Sequence, residues 1–153
     1  MDLILWRHAH AEDDAPGGDD LARPLSGRGE EQAARMAAWL EPRLPAGTRI
    51  LCSPALRCEQ TAFALGRRYE QASGLAPGST AQQVLELAQW PVANGTVLAV
   101  GHQPTLGQVV ARLLRLNATE CSVRKGGVWW LRTQSRGGPL PAIVLAVLSP
   151  DAL

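Results

Sequence analysis

Residues 2–8 read Asp2-Leu3-Ile4-Leu5-Trp6-Arg7-His8, a short apolar run that stops on an arginine and a histidine. Such a run is the mark of a strand buried on both faces. The pattern returns twice. Residues 48–52 (TRILC) run into Ser53-Pro54, and residues 96–100 (TVLAV) run into Gly101-His102, with Asn94-Gly95 as the turn before them. Three buried strands, each ending on polar or turn-forming residues, already suggest one sheet edge where chemistry collects.

The segments between these strands have helical character. Residues 11–24 carry Glu12, Asp13, Asp14, Pro16, Gly17, Gly18, Asp19, Asp20 and Pro24 and read as a loop. After it Ser26 is placed to cap a helix, and Ala33, Met36, Ala37 and Leu40 recur on one stripe until Pro42 and Pro45 end it. Ser53 and Pro54 predict the N-cap and first turn of a second helix, with Cys58, Ala62, Leu65 and Tyr69 on one face. Residues 71–82 are predicted as loop, and 83–87 (QVLEL) fit either a short strand or a helical turn. Residues 105–116 repeat the helical pattern. Residues 127–133 (GVWWLRT) and 142–148 (AIVLAVL) read as two final strands joined by a Gly/Pro turn at 137–141, with Trp129 and Trp130 on opposite faces. The order β-α-β-α-β-α and then β-β predicts an α/β fold: a mostly parallel sheet with helices on both faces. With 153 residues, no repeat and no linker, the chain reads as a single domain over 1–153.

Composition excludes several classes of function. A net charge of +1, with no basic stripe carrying interleaved aromatics, argues against nucleic acid as partner. No apolar run approaches the ~20 residues that span a bilayer, and the first residues lack a basic, long-apolar leader, so cytoplasmic residence is expected. Three cysteines, Cys52, Cys58 and Cys121, form no CxxC pair and read as reduced, small buried residues.

Open α/β sheets bind ligands at the carboxyl ends of their strands. Arg7, His8 and His102 fall there, and Arg57 lies in the first turn of the second helix, leaning back toward an end that favours anions. Guanidinium forks match phosphate oxygens. A histidine with the reference pKa of about 6.5 has a large neutral fraction, so a ring nitrogen can attack phosphorus. His8 is thus the expected nucleophile, with enough positive charge around it that no metal is required. His8 and His10, two apart, also admit a zinc reading with His102. The neighbouring arginines oppose it, and His10 fits better at the loop entrance.

The Arg7-His8 pair, the block Ser53-Pro54-Ala55-Leu56-Arg57-Cys58-Glu59-Gln60-Thr61-Ala62, and Gly101-His102 together resemble the histidine phosphatase superfamily. Arg23-Pro24-Leu25-Ser26 followed by Gly29, and His102-Gln103-Pro104, resemble its SixA-type phosphohistidine phosphatase branch. The resemblance implies a phosphoglycerate mutase-like, three-layer α/β/α sandwich that works without a metal or organic cofactor. It implies His8 as the phospho-accepting nucleophile, Arg7 and Arg57 as the phosphate-binding arginines, and His102 as the second histidine that stabilises phosphoryl charge. Ala9 departs from the superfamily, where glycine usually follows Arg-His; its methyl group could narrow the pocket or forbid a positive φ. Glu86 is the nearest match to the acid of larger mutase-like relatives, with a plain surface role as the alternative.

The expected substrate is a phosphohistidine in a phosphorylated protein partner, with inorganic phosphate as product. Residues 71–95 leave little room for a cap over the pocket. A small phosphomonoester is the alternative substrate, and a non-catalytic phosphate-binding module is the alternative of another class. The acidic loop is either a solvated loop or a selector for basic partner surfaces.

Overall fold

Strand β1 (Asp2–Arg7) lies in the middle of a six-stranded sheet. The structure is a computed structural model and describes residues 1–134 and 140–153. The remaining strands are β2 (Arg49–Cys52), β3 (Glu70–Gln71), β4 (Thr96–Gly101), β5 (Val128–Arg132) and β6 (Ile143–Leu148). They lie in the order β3-β2-β4-β1-β5-β6. The first four neighbours pair in parallel, whereas β5 runs antiparallel to β1 and β6 antiparallel to β5. The helices are α1 (Gly27–Leu40), α2 (Leu56–Phe63), α3 (Ala81–Ala88) and α4 (Thr105–Leu114). None among the described residues is long and apolar enough to cross a membrane.

The two-residue period of β1 builds the three layers. Leu3 and Leu5 face one side and pack with Val84, Leu85 and Ala88 of α3 and Leu106, Val109 and Val110 of α4. Ile4 and Trp6 face the other and pack with Met36, Ala37 and Leu40 of α1 and Cys58 and Ala62 of α2. All four strand residues are fully buried, which for side chains of this size contributes roughly 1.5–3 kcal/mol each. Trp129 joins the first cluster and Trp130 the second, so the adjacent tryptophans do split across the sheet, each half-buried.

Several local expectations are corrected. Helix α2 starts at Leu56 with Ala55 as its N-cap; Ser53 does not cap it. Instead the Ser53 hydroxyl accepts from the Ala55 amide at 3.2 Å and bonds to His102, so the residue is spent on a turn and on the site. The same helix stops at Phe63, and a left-handed Gly66 comes after it. Leu65 and Tyr69 still reach the α1–α2 cluster, but from the chain beyond the helix. Residues 83–87 belong to α3, which begins with a capping box between Thr80 and Gln83. Strand β3 straddles the start of the stretch 71–82 expected to be loop; its two exposed polar residues pair with Leu51 and Cys52 and offer no hydrophobic pattern to read. Residues 137–139 of the expected Gly/Pro turn lie outside the described residues.

Candidate active site

The sheet register brings the three strand ends into one row. Arg7 pairs with Gly101, and Cys52 pairs with Val100. The ladder then runs on past the strands: the His8 amide donates to the Gly101 carbonyl at 3.1 Å, and the Ser53 amide to the Val100 carbonyl at 3.0 Å. Because β4 lies between β2 and β1, His102 emerges between Ser53 and His8. The His8 and His102 ring centroids are 5.2 Å apart. On the far side of β1, the Gly126 amide is shared between the Arg7 and His8 carbonyls. Gly126 has φ 71°, a conformation that favours glycine, and a side chain there would overlap Pro150.

His8 is held by one ring nitrogen. Its Nδ1 lies 2.8 Å from the Ala9 carbonyl oxygen. A carbonyl can only accept, so Nδ1 carries the proton and Nε2 keeps its lone pair. Burial pushes the His8 imidazole down to about 3, and the charges of His102, Arg57 and Arg7 act in the same direction. The ring is therefore neutral at pH 7, more completely than its reference pKa implies.

His102 is held by the other nitrogen. Its Nε2 lies 2.7 Å from the Ser53 hydroxyl, and its Nδ1 lies 3.4 Å from a terminal nitrogen of Arg57. A guanidinium only donates, so Nδ1 accepts and Nε2–H donates to Ser53. Burial and then the Arg57 charge push this ring down to about 4. The Cys58 sulfur is 3.5 Å from the same Nε2, with its thiol pushed up to about 12 by burial; it is an inert wall.

Two guanidiniums complete the group. Arg57 sits in the first turn of α2 and is 3% exposed. Arg7 donates from one terminal nitrogen to the Val123 carbonyl at 2.9 Å. The Nε–H groups of both arginines are buried and have no protein acceptor. An unsatisfied buried donor of a charged group costs about 1–3 kcal/mol or more, and oxyanions are the acceptors that guanidinium groups pair with most strongly. Four of the sequence-derived residues, Arg7, His8, Arg57 and His102, are thus brought together.

The others are placed elsewhere. Glu86 is on the exposed face of α3, where its carboxylate accepts from Gln82 at 2.8 Å, and no hydrogen bond joins it to the group. The His10 Nδ1 bonds to the Ser26 hydroxyl at 2.7 Å, and its amide donates to Gln32. Ser26 caps α1 through the Gly29 amide. A side chain on Gly29 would overlap the His10 carbonyl, so glycine lets the loop lie against the helix end. Among the described residues no three or more His, Cys, Asp or Glu side chains gather as a metal site. Ala9 is not in the left-handed region. It is fully buried with Leu25 and Ala33, so its methyl group packs beneath the loop.

Sequence reasoning missed four supports. Thr61 accepts from the Ala9 amide at 3.1 Å and donates to the Arg57 carbonyl at 2.7 Å, tying the nucleophile's loop to the arginine's helix. Gln60 accepts from the Leu25 amide. Ser53 orients His102. These three stand in the same conspicuous block as Arg57, but nothing in the block alone names their partners. The fourth is Asp20, whose carboxylate lies 3.1 Å from Arg57 and 2.9 Å from Arg23.

With this geometry in view, comparison with known proteins is specific. Residues 3–78 match the model of the histidine phosphatase superfamily (branch 1). The phosphohistidine phosphatase SixA of Escherichia coli (strain K12) is 32% identical over 121 residues, 74% of either chain. The SixA homolog of Haemophilus influenzae is 32% identical over 128 residues, 74% of this chain and 77% of its own. The structure of the protein histidine phosphatase SixA complexed with tungstate superposes with a TM-score of 0.79 at 27% identity over 99% of both chains. The chain belongs to the histidine phosphatase superfamily, in its SixA-type branch. It is a phosphatase of phosphoglycerate mutase-like α/β fold.

Proposed function

We propose that this phosphatase hydrolyses phosphohistidine in a protein partner through a phosphoryl intermediate on His8. The observation that carries the reading is the Nδ1–H bond of His8 to the Ala9 carbonyl, which leaves the lone pair on Nε2 of a neutral ring whose centroid lies 5.2 Å from that of His102.

The phosphoryl oxygens bind the guanidiniums of Arg7 and Arg57. His8 Nε2 then attacks phosphorus, forming a nitrogen–phosphorus bond as the bond to the leaving imidazole breaks. The leaving ring carries a proton and departs as neutral histidine. The negative charge of the arriving phosphoryl group favours a protonated His102, whose Nδ1–H would then donate to a phosphoryl oxygen. In the second step water attacks the phosphorus on His8, releasing inorganic phosphate and restoring the free ring. Preorganised donors at positions of developing charge supply the catalysis. The leaving imidazole needs little help from an enzyme acid, which agrees with Glu86 lying apart from the group. The relatives named for phosphohistidine, and the solved structure of a protein histidine phosphatase SixA with tungstate, support the same reading.

In the segment between β2 and β4, helix α3 packs its apolar face on the sheet, which supports approach by a phosphorylated side chain on a protein surface. The test compares kcat/KM for a phosphohistidine peptide with that for alkyl phosphates such as a sugar phosphate. The expected result is a clear preference for the peptide, because general-acid help to an alkoxide is worth about 10²–10⁴-fold and Glu86, the sequence-derived acid, is bonded to Gln82 on the exposed face of α3. Equal or better turnover of alkyl phosphates would overturn the substrate assignment.

A further inference from the structure

Asp20 is the one carboxylate in an ion pair with Arg57 among the described residues. Its Oδ2 accepts from one terminal nitrogen of Arg57 at 3.1 Å, its backbone carbonyl accepts from the other at 2.8 Å, and its Oδ1 accepts from Arg23 Nε at 2.9 Å. The side chain of Arg57 is 4% exposed and that of Asp20 is 59% exposed, so the carboxylate stands between a buried phosphate-binding arginine and solvent. The Arg23 bond, and then the Arg57 charge, hold its carboxyl below the usual range.

The loop is built to keep it there. Asp19 accepts from the Leu21 amide and shapes the turn Asp20–Ala22. Arg23 also donates to the Glu12 carbonyl, and the Glu12 amide donates to the Pro24 carbonyl, closing the loop on itself. The Arg57 terminal nitrogen bonded to Asp20 Oδ2 is the one that lies 3.4 Å from His102 Nδ1, so the carboxylate holds the guanidinium nitrogen that faces the second histidine. A phosphoryl oxygen that takes this nitrogen displaces Oδ2, while Oδ1 can stay on Arg23. Held on Arg23, the exposed carboxylate keeps its negative charge on the solvent side of Arg57.

We propose that Asp20 is a specificity-determining residue: its carboxylate occupies the anion seat on Arg57 in the free enzyme and disfavours substrates whose leaving group is negatively charged. The argument about the leaving group rests on the phosphohistidine reading. A protonated imidazole is attracted by such a carboxylate, whereas a leaving group that carries its own carboxylate is repelled. The seat also weakens product binding, because inorganic phosphate must displace the same carboxylate.

The experiment uses tungstate as the binding probe, measured by calorimetry on wild type, Asp20→Asn and Asp13→Asn, with thermal melts to show that each variant is folded. Asp13 lies in the same exposed loop, so its variant makes the same change in net charge without the Arg57 contact. Expected is about fivefold tighter tungstate binding for Asp20→Asn, the scale of a half-exposed ion pair, with Asp13→Asn unchanged. Unchanged or weaker binding in Asp20→Asn, or an equal gain in Asp13→Asn, would overturn the seat. The kcat/KM ratio between a phosphohistidine peptide and 3-phosphoglycerate, whose leaving group carries a carboxylate and no ammonium, is then compared in wild type and Asp20→Asn. Expected is a shift of similar size toward 3-phosphoglycerate; no shift would overturn the specificity role. If wild type fails to turn over phosphohistidine, the substrate reading fails, yet the tungstate comparison still decides whether Asp20 holds the anion seat.

Discussion

The ends of β1 and β4 present two histidines that are alike in burial and opposite in attachment. His8 is 7% and His102 5% exposed, and burial is the main cause that depresses both pKa values. His8 is tied through Nδ1 to a carbonyl, which leaves Nε2 free. His102 is tied through Nε2 to a hydroxyl, which turns Nδ1 toward Arg57. One ring is thereby prepared to attack and the other to support charge beside an arginine. The difference lies in which backbone or side-chain acceptor each ring finds, while residue type and burial are shared.

His102→Ala breaks this comparison from the β4 side. It removes a donor to the phosphoryl group while leaving the nucleophile in place. kcat is expected to fall by about 10²–10³-fold, with the phosphoryl group still found on His8. A steady-state assay combined with quantification of the intermediate checks this.

Ser53→Ala breaks it more gently. It leaves the Nε2–H of His102 buried without its acceptor, which costs about 1–3 kcal/mol of stability. kcat is expected to drop by about tenfold, one decade of barrier, because the ring can then turn. Ser53→Thr, which keeps the hydroxyl, is expected to recover most of the rate. Denaturant unfolding and kcat for the three proteins decide the matter.

The smallest effect is on proton binding. Nitrogen NMR of the rings is expected to show opposite neutral tautomers, Nδ1–H for His8 and Nε2–H for His102, both unchanged from pH 8 to about pH 5. Midpoints near 6.5 would contradict the burial argument. Stability carries the same signature. The unfolded chain protonates these rings near 6.5, while the folded chain does so only at about 3 and about 4. The unfolded state therefore binds more protons over that window, and these two rings lower Tm as pH falls from 6.5 toward 4.

Much of this is legible in the sequence because buried parallel strands are written as apolar runs. The runs at 2–6, 48–52 and 96–100 mark three central strands, and the residues just beyond each run land on one sheet edge for topological reasons. Strand β3 is not legible, since Glu70 and Gln71 are exposed and polar and owe their state to pairing with β2. Ser53 reads as a helix cap because a serine before proline is a good one, and only the β2–β4 register reveals that it faces His102. Asp20 reads as one charge in an acidic loop; its contact with Arg57 spans 37 positions in the chain and has no local signature. Glu86 stands out by its place in the order of motifs, but α3 turns its apolar face to the sheet and leaves this side chain in solvent.

The central claim is that His8 Nε2 takes the phosphoryl group. Its most direct test is an alkaline-quenched reaction with a phosphoryl-labelled phosphohistidine peptide and mapping of the label on the protein. The account predicts label on His8 in the wild type and in His102→Ala. It predicts none in His8→Ala, together with a loss of turnover of about 10⁴-fold or more. Label on any other residue, or turnover that persists in His8→Ala, would contradict it.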